Sequence, residues 1–83
     1  MPPSGSEPVD VVVSFSKNRV IPHRFRSAGR VYDIKRVNLV HATREGRAKV
    51  FVFSVSDDTN FWKLRFDTES LEWRVVEQFN SHG

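Results

Sequence analysis

Between Lys17 and Lys49 the chain carries ten lysines and arginines against two acids, Asp33 and Glu45, a local charge of +8. From Val50 onward three cations face six acids, and the first sixteen residues carry only Glu7 and Asp10. The net charge of +3 therefore hides a basic half. Clustered cations neutralise phosphates and release their counterions, so such a half suits a polyanionic partner. The candidate phosphate contacts are Arg24, Arg26, Arg30, Lys35, Arg36, Arg44, Arg47 and Lys49. Arg47-Ala48-Lys49-Val50-Phe51-Val52-Phe53 puts two cations and two aromatics on one parity. That alternation can stack on bases while its cations meet phosphates. The competing expectation, and the favoured one, is that Phe51 and Phe53 are core, packed against Trp62 and Leu64.

Other chemistry is sparse. His23, His41 and His82 have no metal-ligand companions at a telling spacing, and there are no cysteines. Asp57-Asp58 lacks the spaced oxygens of a calcium loop. Asp67, Glu69 and Glu72 sit about one turn rather than across a cleft, and neither a phosphate-cradling glycine loop nor a nucleophile elbow is present. The expectation is a non-catalytic protein with no cofactor, no metal and no small-molecule substrate.

The elements that must hold these residues read as strands. Val9, Val11, Val13 and Phe15 alternate with Asp10, Val12, Ser14 and Ser16. Lys17-Asn18 is a turn. Arg19 to Arg26 is extended and is interrupted or at an edge where Pro22 removes a ladder donor. Ser27-Ala28-Gly29 turns again. A long strand, Arg30 to Thr43, places Tyr32 and Ile34 on one parity and Val37 and Leu39 on the other, so a bulge or bend is expected near Lys35-Arg36. Gly46 supplies the positive φ of the next hairpin. Arg47 to Ser56 is apolar on both parities at its centre and reads as a central strand. Phe61 to Phe66 and Leu71 to Phe79 form a last hairpin around Asp67 to Ser70, with Phe66 facing Leu71, Leu64 facing Trp73, Trp62 facing Val75 and Arg65 facing Glu72.

The result is an all-β domain: a six-stranded antiparallel meander curled into a small SH3-like or partly open barrel. It spans residues 9–79, between a Pro/Ser/Gly-rich lead (1–8) expected to be disordered and a flexible tail (80–83). The longest apolar run, Val11 to Val13, is far short of a membrane span, and a cytoplasmic location is the expectation.

The run Ile21-Pro22-His23-Arg24-Phe25-Arg26-Ser27-Ala28-Gly29-Arg30-Val31-Tyr32-Asp33-Ile34, with Trp62 to Asp67 and Trp73-Arg74-Val75 downstream, resembles a small bacterial β-rich domain family of unknown function. Pro22, Phe25, Gly29, Arg30 and Tyr32 match its Pro-x-x-Phe and Gly-Arg-x-Tyr stretches. Some members of that family are associated with lesion-bypass DNA polymerases, so the resemblance implies a nucleic-acid setting. Two functions follow as expectations. One is an accessory module that binds DNA or RNA through the basic surface. The alternative is a module that binds another protein or itself, through an exposed patch of Val50, Val52, Phe61 and Val76 or through the Pro22 edge strand.

Overall fold

A computed structural model describes residues 7–80; His82 and most of the expected lead and tail lie outside them. The described residues form an all-β sheet of seven antiparallel strands: β1 (Glu7–Ser16), β2 (Arg19–Ser27), β3 (Arg30–Asp33), β4 (Arg36–Glu45), β5 (Ala48–Ser56), β6 (Asn60–Asp67) and β7 (Glu72–Asn80). Their order is β3-β2-β1-β7-β6-β5-β4. β1 therefore starts at Glu7, inside the expected lead, and pairs Glu7, Pro8 and Val9 with Val75, Arg74 and Trp73.

Consecutive strands β3 and β4 lie at opposite ends of this order, yet only Ile34 and Lys35 join them. So short a link reaches about 11 Å, so the sheet must curl until its ends approach. The Ile34 amide donates to the His23 carbonyl on one side, and the Lys35 amide to the Ser56 carbonyl on the other. The expected long strand is thus two strands that change partner at the expected bend. This corrects the six-stranded count and opens the barrel along one side. A second correction lies just beyond. Asn38 is an extra residue in the β4–β5 register, so Val37 faces Val55 and Leu39 faces Ser54, on opposite sides of the sheet.

The core fills the concave side. Phe25, Phe53, Val55, Trp62, Leu64, Phe66, Trp73 and Val75 are buried, with Val9, Val11, Val13, Tyr32 and Phe51 packed against them. Trp73 stacks on Phe66 and Phe53 at centroid distances of 4.5 and 5.4 Å, and Trp62 meets Phe25 edge-on at 5.1 Å. Pro22 is buried at a bulge, where Val13 faces Pro22 and Val12 faces Arg24, leaving His23 unopposed. Beyond β3's reach β2 has no partner on that side, which is where a residue lacking an N–H is tolerated.

The turns follow their residues. Lys17 and Asn18 have φ of 51° and 65°, and Ala28 and Gly29 of 51° and 79°, the two positive angles of a type I′ hairpin. Gly46, with φ of 63°, begins the two-residue Gly46-Arg47 loop. In the last hairpin Asp67 opposes Glu72, Phe66 opposes Trp73 and Leu64 opposes Val75, a register two residues from the expected one. Asp67 itself closes the turn: its Oδ1 accepts from the Glu69 and Ser70 amides at 2.8 and 3.2 Å, and its carbonyl accepts from the Leu71 amide. Leu71 is therefore a turn residue, at φ of 62°. A two-residue slip keeps Leu64, Phe66, Trp73 and Val75 on the core face; past a bulge between Lys63 and Leu64 the offset is three, so Trp62 opposes Gln78 rather than Val75 and Phe61 opposes Phe79. The expected Arg65–Glu72 pair is not formed; Arg65 opposes Arg74 instead.

Candidate nucleic-acid interface

Four of the eight candidate cations are occupied. Arg24 pairs with Asp33 at 3.0 Å and Arg26 with Asp10 at 2.9 Å, each across adjacent strands. Lys35 donates to Asp58 at 2.8 Å, and that hydrogen bond holds its ammonium above the ordinary pKa of 10.5. Arg36 donates to the Asp57 carbonyl at 3.3 Å. Asp57 is itself a turn cap: its Oδ1 accepts from the Thr59 and Asn60 amides, which hold its carboxyl below the ordinary 3.8. On the outer face of β1–β3, Arg24 and Arg26 are thus matched by carboxylates rather than presented together.

The other four divide by position. Arg30 lies 5.8 Å from the Tyr32 ring centroid, at the Ala28-Gly29 end of the barrel. Arg47 lines a polar hollow of about 610 Å³ with Glu45, Asp67 and Glu69. Arg44 and Lys49 oppose each other in the β4–β5 ladder, on the parity of Phe51 and Phe53, and so on the concave side. The Lys49 ammonium sits 5.1 Å from the Phe51 centroid. Lys17 and Arg19, which charge counting alone does not single out, lie at the Lys17-Asn18 end, opposite the Ala28-Gly29 end. Among the described residues Lys17, Arg19 and Arg44 have no carboxylate partner.

Arg19 lines a slot, and Lys49 lies over Phe51, which lines it too. Because β3 covers only Arg24 to Ser27 of β2, the first half of β2 faces the free edge of β4 across the open side of the barrel. No Cα of β2 comes within 8 Å of one in β4, too far for a ladder at the usual strand spacing of about 4.8 Å. The gap is a groove of about 280 Å³ lined by Arg19, Val20, Ile21, Val37, Val40, Phe51 and Phe53. Phe53 is core, as expected; Phe51 is half-buried and forms the groove floor. Phe15, opposite Val20 in the β1–β2 ladder, is 65% exposed at the same end.

The alternative patch is not assembled. Val50 is fully buried, Val52 and Val76 are half-buried, and only Phe61 is well exposed. The burial of Val50 has a cause in the register. Glu45 opposes Ala48 and Arg65 opposes Val52, so the Arg65–Glu45 ion pair passes over β5 at Val50. Thr68 adds a hydrogen bond to the neighbouring Lys49 carbonyl at 2.7 Å. Neither described histidine shows ligand geometry: His23 Nε2 is 2.8 Å from Ser14 Oγ, and His41 is exposed opposite Val52. Among the described residues no three His, Asp or Glu side chains come together as a metal site, and no helix is long and apolar enough to cross a membrane. No protein-family model, curated protein or solved structure matches this chain.

Proposed function

We propose that this chain is a non-catalytic nucleic-acid-binding module whose contact surface is the slot end of the barrel. The observation that carries the reading is the sorting of the cations. Those on the outer face of β1–β3 are matched by acids, whereas Arg19 lines an apolar groove, Lys49 lies over its Phe51 and Arg44 stands opposite Lys49, none of the three in an ion pair among the described residues. Fluorescence anisotropy of labelled DNA and RNA at two salt concentrations tests it. Binding should weaken with salt, and R44Q/K49Q should weaken it further and flatten the salt dependence. R24Q/R26Q should leave that dependence nearly unchanged. Absence of binding at low salt refutes the reading.

A second reading rests on β4. All ten of its residues are exposed, and its outer edge is unpaired. An edge of this length can accept a strand from another protein or a second copy. Sedimentation over a range of concentrations tests the second copy, since self-pairing makes the mass rise with concentration.

A further inference from the structure

We infer that this end of the barrel takes single-stranded rather than duplex nucleic acid, with one base stacked on Phe51 in the slot and another on Phe15 in the neighbouring hollow beside Phe66 and Trp73; this rests on the nucleic-acid reading above. Phe51 is recessed. Phe53 lies beside it at 6.0 Å, and aliphatic side chains from β2 and β4 form the groove walls. A duplex presents phosphates outward and keeps its base faces stacked inside, so it cannot lay a base on a recessed ring. An unpaired base can. Lys49 rests over Phe51 and is placed to move from the ring to a phosphate as a base takes its position. Phe15 supplies a second platform. It is on the concave parity, touches Phe66 at 6.4 Å and leaves most of its surface open, beside Lys17 and Arg19. Accessible ring faces, one exposed at Phe15 and one half-buried at Phe51, beside cations without carboxylate partners are the two components of sequence-tolerant single-strand binding.

The test titrates the full chain into a labelled single-stranded oligonucleotide and its duplex, at two salt concentrations. Single strands should bind at least about tenfold more tightly than duplex. Phe15→Ala should weaken single-strand binding about 5- to 150-fold, with the salt dependence kept, because no phosphate contact is lost. Phe51→Leu, which preserves apolar volume, should also weaken it, while Arg44→Gln should reduce the salt slope by about 0.7. Phe15 is exposed, so its variant keeps the fold, and thermal melts of each variant verify this. Duplex binding as tight as single-strand binding, or intact binding in both Phe variants, overturns this inference and leaves the nucleic-acid reading standing. Absence of binding to either form overturns both.

Discussion

Arg65 gives the sharpest test of how the convex face is sealed. Its side chain is 23% exposed and that of Glu45 56%, so the arginine is the packed partner and the glutamate the solvated one. If the arginine stem roofs Val50, stability depends on its methylenes more than on its charge. Arg65→Ala removes two methylenes at about 0.8 kcal/mol each. It also uncovers part of a valine worth about 1.5 kcal/mol when fully buried. A partly exposed ion pair adds at most about 1 kcal/mol. The expected loss for Arg65→Ala is about 2–3 kcal/mol, against about 1 kcal/mol or less for Arg65→Met or Glu45→Gln. Urea unfolding followed by tryptophan fluorescence reads this directly, since Trp62 and Trp73 are both buried. With a slope of about 1 kcal/mol per M, Arg65→Ala should lower the midpoint by about 2 M or more. Equal losses for Met and Ala would refute the packing argument and assign the effect to charge. A loss under about 0.5 kcal/mol for Ala would show that Arg65 does not seal Val50.

Other outcomes follow from the turns and the core. Ala28 is an L-residue at φ of 51° before Gly29, so Ala28→Asn should stabilise by about 0.5–1 kcal/mol, raising Tm by several degrees. Gly29→Ala meets no atom within 4 Å, so its expected cost of about 1–2 kcal/mol is backbone strain alone, read in the same melts. Phe53→Ala should cost about 3–5 kcal/mol and leave a variant largely unfolded in mild urea. Asp57 and Asp67 have carboxyls held below the ordinary 3.8, so their stabilising contribution is present above that pH and is lost as pH falls through their lower folded-state values. D57N/D67N should flatten the loss of stability in acid, measured as urea midpoints between pH 5 and pH 2.

Much of the architecture was legible because strand period and turn chemistry are local. The alternation of Val9 to Phe15, the Lys17-Asn18 turn and the Gly46 hairpin needed no tertiary information. The change of phase at Lys35-Arg36 was visible too, but not that the strand would change partners there, since that depends on where β5 lies. The two-residue slip of the last hairpin escaped because either register keeps Trp62, Leu64 and Phe66 on the core face; the choice fell to Asp67 as a turn cap. The candidate interface was half legible. Charge counting located a basic half but could not show that Asp10 and Asp33 stand beside Arg26 and Arg24. Arg19 was missed because β4 and β5, which supply the rest of the slot, lie far along the chain from it.

The strap of Ile34 and Lys35 has a consequence for how the molecule opens. β1–β3 and β4–β7 are each joined by short local turns. The two groups meet through three residue pairs between β1 and β7, through contacts such as Phe25 and Tyr32 against Trp62, and through the strap. Pairing Val9 with Trp73 closes most of the chain into a loop, the costliest contact to form and the least reinforced by neighbours. In native-state hydrogen exchange, the amides of this seam should therefore lose protection before those of Val50 to Val55. Parting the seam would pull Phe25 and Tyr32 off Trp62 and leave Ile34-Lys35 as the only chain connection between the two groups. The width of the slot between β2 and β4 is therefore tied to the same shared aromatic core that holds the seam shut.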